Sequence, residues 1–230
     1  MGLELYSKIE PFLDFEDEVY TLHKQFMEFV IVNELDNIID IGCGQGYFLE
    51  NLKINGKKAF GTDLSVEQIK VCQEKGLEAK AIPLNEVSEK YDCATAIFDV
   101  LNYIPKEYLE EFINDTYSVL NNGAYFVFDV NSYFGFDMVA QGCITIDLED
   151  RFIAIDANFD EKNLQTDLTL FTQNDNGTFT KESDSIIQEY HSKKYLEKLL
   201  KKCGFEVQEI RNFNLHSDED ADKLIFICKK

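Results

Sequence analysis

Three glycines at alternate positions, Gly42, Gly44 and Gly46, follow the acidic end of a short apolar run, Ile38-Ile39-Asp40-Ile41. Glycines spaced this closely describe a turn of bare backbone between a buried strand and the N-terminus of a helix. A ligand can lie directly against such a turn, and Asp40 can meet its polar or cationic part. One strand–helix unit later, Gly61-Thr62-Asp63-Leu64-Ser65 puts a second carboxylate at a strand end. Asp63 there can accept both hydroxyls of a ribose lying over the carboxyl edge of a sheet, although an Asp before a helix also serves as a plain cap. Dinucleotide sites favour Gly-x-Gly-x-x-Gly, whose third glycine falls one place later than Gly46, so the spacing argues against a nicotinamide cofactor.

The elements that must position these residues follow from hydrophobic period and turn signals. Asp14 to Asn33 repeats apolar residues at three- and four-residue steps and predicts an amphipathic helix. Strands are expected at 37–41, 58–63, 77–82 and 91–98, with helices at 46–52, 65–75 and 105–120 between or after them. Asn121-Asn122-Gly123 reads as a turn into the apolar strand 124–129. The alternation predicts an α/β fold, a mainly parallel sheet with helices on both faces. Between Tyr133 and Tyr190 the helical period vanishes, and strand-like runs at 143–148, 152–159, 164–173 and 178–190 predict an antiparallel β insertion. Asn163 and Asn174-Asp175-Asn176-Gly177 mark its hairpin turns. Ser192 then caps a helix over 193–202, and strands at 205–210 and 224–228 close the chain. One domain over 1–230, with 133–190 inserted on the substrate side, is the economical organisation.

The segment from Asp40 to Gly46 closely resembles the first motif of the class I S-adenosylmethionine (SAM)-dependent methyltransferases, and the match is highly specific at residues 38–48 and 61–65. The resemblance implies a Rossmann-like fold with SAM as cofactor and S-adenosylhomocysteine as product. It lays Gly42, Gly44 and Gly46 against the methionine part, turns Asp40 to its ammonium group and gives the ribose to Asp63. Relatives often carry an acidic residue and Ala after the third strand. Here that pair is Lys80-Ala81, so the adenine is assigned to backbone near Ala81 and Ile82 and to the side chain of Leu64. Tyr6 resembles a tyrosine that relatives use near the cofactor, before an N-terminal helix. Phe98 and the stretch Asp99 to Ile104 should face the transferable methyl group, or in the case of Phe98 fill the core. The segment Ala124 to Ser132 and the insertion look like a bacterial, small-molecule branch. Ser185 and Gln188 stand where relatives often have a His and an Arg, so substrate roles do not carry over.

The chemistry implied is an in-line displacement at the sulfonium methyl carbon, with no metal required. Asp99, Tyr103 and His191 are the candidates for proton handling, and His23 is a weaker one. The leading expectation is methyl transfer to nitrogen or oxygen of a small-molecule acceptor. The alternatives are a protein or tRNA methyltransferase, or a domain that binds SAM without catalysis.

Composition bounds these options. A formal charge of -21 with only two arginines, Arg151 and Arg211, discourages a nucleic-acid substrate. Lysines at 193, 194, 198, 201 and 202 fall on an amphipathic helix, as a solvated face would. The six cysteines are scattered without a Cys-x-x-Cys pair, which fits reduced thiols rather than zinc or disulfides. No export signal stands near the start and no apolar run is long enough to span a bilayer, so the expected location is cytoplasmic.

Overall fold

The computed structural model describes residues 2–215 and 220–230, and its strands form two sheets. The helices are α1 (Gly2–Ile9), α2 (Glu16–Val32), α3 (Tyr47–Ile54), α4 (Val66–Glu74), α5 (Lys106–Ser118), α6 (Tyr133–Val139) and α7 (Lys193–Lys202). The first sheet contains β1 (Asn37–Ile41), β2 (Lys58–Thr62), β3 (Ala79–Lys80), β4 (Tyr91–Ala96) and β5 (Leu120–Asn131). The second contains β6 (Cys143–Asp147), β7 (Arg151–Phe159), β8 (Asn163–Gln173) and β9 (Phe179–Glu189). Two last strands, β10 (Glu206–Phe213) and β11 (Lys223–Lys229), return to the first sheet. Its order is β10-β11-β5-β4-β1-β2-β3, with β1 to β5 parallel and β11 antiparallel to both neighbours. The strand order reverses at β1, and in open α/β sheets ligands bind outside the carboxyl ends at that point.

Burial on both faces explains why the central strands read as continuous apolar runs. Along β5, Phe126 and Phe128 pack with Leu109 and Ile113 of α5 and Leu196 and Leu200 of α7. Val127, between them, joins Leu22 and Phe26 of α2, Leu49 and Leu52 of α3, and Ile69 of α4 on the opposite face. The period-two alternation of a strand thus feeds two cores.

The second sheet is an antiparallel meander, β6-β7-β8-β9. One face of it covers α1: Leu5, Ile9 and Leu13 pack against Ile153, Ile155, Leu168, Leu170 and Ile186, and Tyr6 and Tyr103 border this cluster. Eight residues are too few for a stable isolated helix, so α1 exists because the sheet receives its apolar side. Tyr6 accordingly lies inside a helix, where the sequence placed it before one.

Other departures also have local causes. The segment after Asn131 is not purely strand: Ser132 Oγ accepts from the Gly135 N–H at 3.0 Å and caps α6, whose Phe136 is fully buried. Residues 121–123 lie within β5, which is irregular beside Tyr91, and do not form a separate turn. The first long hairpin turns at Glu161, with φ of 71°, where Asp160 Oδ1 accepts from the N–H groups of Lys162 and Asn163. Asn163 is therefore the first residue of β8. The third strand is only two residues long.

Truncating Ile9, which is fully buried in the α1 cluster, should cost about 2–5 kcal/mol of local stability. Hydrogen exchange on Ile9→Ala is expected to show faster exchange over residues 2–12 with β1 to β5 unchanged.

Candidate functional site

The glycine turn has the conformation its spacing implies. Gly42, Gly44 and Gly46 have φ of 70°, 53° and 82°, in the left-handed region that side chains disfavour. The N–H groups of Gly42 and Cys43 donate to the Thr62 carbonyl at 2.7 and 3.1 Å, fastening the turn to the end of β2. A Cβ on Gly46 would meet Leu77 Cδ1 at 2.6 Å and Cys72 Sγ at 2.9 Å, whereas one on Gly44 would meet no atom within 4 Å. Gly44 alone of the three presents bare backbone to open space.

Asp63 follows β2 and spans the two loops. Its Oδ2 accepts from the Gly44 N–H at 3.0 Å and its Oδ1 from the Ser65 N–H at 2.8 Å. An ionised carboxylate has about four lone-pair sites, so two remain for a diol. Asp40, near the end of β1, is buried and accepts from the Thr95 hydroxyl at 2.7 Å. Burial pushes its carboxyl up to about 7; the Thr95 hydrogen bond opposes this and the charge of Asp63 adds to it. No Lys or Arg pairs with it among the described residues, so a cationic group bound beside it would favour its anion. Next to β3, the carbonyl of Lys80 accepts from the Asp63 N–H at 3.4 Å and that of Ile82 from the Thr62 hydroxyl at 2.7 Å. Ala81 and Ile82 are half-buried there, and Leu64 is 75% exposed beside them. Open backbone, a diol acceptor, an anion short of a cation and an exposed apolar side chain fit the parts of SAM.

The loop after β4 forms the other wall. Phe98 and Asp99 both have φ of 63°, an unusual pair of left-handed non-glycine residues. The buried Asp129 of β5 accepts both of their N–H groups, at 2.8 and 3.3 Å. Asp99 itself pairs with Lys223 Nζ and accepts from Asn131 Nδ2 at 2.8 Å. Burial raises the phenols of Tyr6 and Tyr103, and Glu10 and Asp99 raise both further, so these hydroxyls stay protonated donors at neutral pH. Burial also raises the carboxyl of Glu10, against the pull of Lys75, and Gln45 Nε2 of the glycine turn donates to it at 3.5 Å.

The fold therefore brings Tyr6, Asp99 and Tyr103 together with Glu10. His191 stands apart from them. It is buried, its Nε2 lies 3.1 Å from the carbonyls of both Leu101 and Ile104, and burial lowers its pKa. It clasps the short turn 100–103 from behind. His23 is held between the rings of Phe48 and Phe98, at 5.2 and 5.8 Å, and burial drops it to about 4. Glu10, Asp129, Asn131 and Lys223 did not stand out in the sequence. Asp129 had a visible signal, a lone charge inside the run Phe126-Val127-Phe128-Asp129-Val130. Grooves of about 440 and 270 Å³ run along α2, lined in part by Phe29 and Tyr125 and by His23 and Asn51. Neither lining includes the glycine turn, so the site is defined by its donors and charges and not by cavity size.

Comparison with known proteins agrees with this geometry. A family described as a methyltransferase domain matches residues 16–210. A protein of Geobacillus sp. (strain WCH70) named as a methyltransferase is 25% identical over 208 residues, covering 84% of each chain. The solved structure of an S-adenosylmethionine-dependent methyltransferase from Clostridium acetobutylicum ATCC 824 superposes with a TM-score of 0.81 at 19% identity, over 98% of each chain. SAM-bound CalS10, an amino pentose methyltransferase from Micromonospora echinaspora, superposes at 0.73 with 13% identity, over 100% of this chain and 96% of its own. No helix among the described residues is long and apolar enough to cross a membrane. With a family match that spans most of its length, on a Rossmann-like frame whose open turn fits the cofactor, the chain belongs to the SAM-dependent methyltransferases.

Proposed function

We propose that this enzyme methylates nitrogen or oxygen of a small-molecule acceptor, with an amine the preferred group. The observation that carries the proposal is the meeting of Tyr6, Glu10, Asp99 and Tyr103 beside the glycine turn, walled by α1 and the second sheet. Two phenolic donors among carboxylates suit a neutral or cationic partner of metabolite size. The likeness to an amino pentose methyltransferase and to a sugar N-methyltransferase supports an amine-bearing acceptor. Against a nucleic-acid acceptor, both arginines are already engaged by neighbouring carboxylates, Arg151 with Asp150 and Arg211 with Glu209.

Bound SAM supplies a methyl group on positively charged sulfur, open to in-line attack by a lone pair. The chain's own task is to hold both reactants in line, which can contribute on the order of 7–11 kcal/mol of barrier reduction. In this proposal Gly42, Gly44 and Gly46 seat the methionine portion, with Asp40 toward its ammonium and Asp63 on the ribose. Leu64, Ala81 and Ile82 border the adenine, and Phe98 and Tyr6 flank the sulfur end. Tyr103 orients the acceptor. An amine must arrive neutral, and Glu10, raised by burial, is suited to take its proton. His191 shapes the loop that carries Tyr103.

Gly44→Ala should keep the fold, losing only about 1–2 kcal/mol to backbone strain, while its methyl group occupies the cradle. SAM affinity by calorimetry is expected to fall at least a hundredfold, and unchanged affinity would remove the cradle assignment. Because the Asp40 carboxyl rises on folding from 3.8 to about 7, the ligand-free fold loses stability as pH climbs through that window. A cationic ligand favours the anion, so SAM affinity should rise about tenfold between pH 6 and 8 and stay flat in Asp40→Asn. A pH-independent wild type would exclude Asp40 as the ammonium partner. For the acceptor, S-adenosylhomocysteine release should be measured with glucosamine, galactosamine and putrescine against glucose, butanediol and bulk tRNA. Turnover with at least one amine and none with tRNA is expected; turnover with tRNA alone would overturn the proposal.

A further inference from the structure

We propose that Lys223 is a positioning residue for methyl transfer: its ammonium, clamped between Asp99 and Asp129, sets the left-handed turn at Phe98-Asp99 that forms the wall of the site. The proposal rests on the transfer role argued above, but its geometry is independent of any ligand. Lys223 opens β11, opposite Asn131 of β5, and is 3% exposed. Its Nζ ion-pairs with Asp99 Oδ1, lies 3.0 Å from Asp129 Oδ2 and donates to Asn131 Oδ1 at 3.1 Å. The ring of Phe98 is 5.8 Å from the same ammonium.

The causal chain runs from charge to backbone. Two successive non-glycine residues in the left-handed region persist only where their surroundings hold them. What holds them is Asp129, which accepts the N–H groups of both Phe98 and Asp99. Burial and the nearby charge of Asp99 raise the carboxyl of Asp129 and Lys223 opposes that rise, while every contact its oxygens make, with two main-chain N–H groups and one ammonium, is that of an acceptor. Burial also works against the charge of Lys223, but Asp99 and Asp129 outweigh it and hold the ammonium charged. Once protonated, Asp129 would present a donor where an acceptor is needed, and one of the two N–H bonds would be lost. Asn131 closes the ring by donating to Asp99 and accepting from Lys223.

The test compares wild type with Lys223→Met and with Lys223→Gln, whose amide keeps a hydrogen-bond donor toward the two carboxylates without the charge should the methionine variant fail to fold. In ¹⁵N-labelled protein, amides of residues 97–104 are expected to exchange at least tenfold faster in the folded variants, with β1 and β2 within twofold of wild type. SAM affinity by calorimetry should stay within threefold. With whichever of glucosamine, galactosamine or putrescine wild type methylates fastest, kcat should fall at least thirtyfold at a nearly unchanged KM for SAM. Unchanged exchange over 97–104 in a folded variant, or equal loss of kcat and SAM affinity, would overturn the proposal. Failure of wild type to bind SAM would instead strike the transfer role, and the exchange data would still decide whether Lys223 sets the turn.

Discussion

Four carboxylates crowd the carboxyl edge of the parallel strands, and the site is built around keeping their charges apart or answered. Asp40 and Asp129 lie within β1 and β5, while Asp63 and Asp99 follow β2 and β4. Each meets the constraint differently. Asp63 uses main-chain N–H groups, Asp99 and Asp129 share one ammonium, and Asp40 has only a hydroxyl. The same-sign crowding explains how a strongly acidic chain can present a pocket suited to a positively charged cofactor. Of the four, Asp40 alone is met by neither a main-chain N–H nor an ammonium among the described residues, only by the Thr95 hydroxyl.

The two halves of the site have different mechanical characters. On the proposed nucleoside side, the contacts that fasten the turn join short loops to the ends of nearby strands: Thr62 carbonyl to turn, Asp63 to Gly44, Thr62 hydroxyl to Ile82. On the proposed acceptor side, the contacts join segments far apart in sequence, such as Asn102 with Glu189 and Tyr6 with the cluster beneath the second sheet. Local loops are preorganised as soon as the sheet forms, whereas the acceptor wall needs the second sheet and α1 to be docked as well.

That difference also decides what the amino-acid order revealed. β1 and α7 have the expected bounds, and the turn, Asp40 and Asp63 are local patterns in which spacing states the geometry directly. The parallel sheet and the four insertion strands were legible because strand period and turn residues recur over many positions. Missed were α1, too short to announce itself before the sheet that supports it, and α6, whose Gly135 lets the chain run against the Asp222 carbonyl. Glu10 and Lys223 look like ordinary surface charges in a list of residues. Only the fold shows that one lies beside the glycine turn and the other beneath the post-β4 loop. His191 illustrates the converse: a residue type that suggests proton transfer has both of its Nε2 contacts on main-chain oxygens.

Asn102 is the seam between these halves. Its Oδ1 accepts from the Asn131 N–H at 3.0 Å and its Nδ2 donates to the Glu189 carbonyl at 2.9 Å, while Glu189 also accepts from the Lys106 N–H. One amide side chain thus stitches the outer sheet to the frame at its very margin, leaving the glycine turn uninvolved. In the proposed reading, a chain with a different outer sheet would present another acceptor wall while the turn that seats the nucleoside keeps its own contacts.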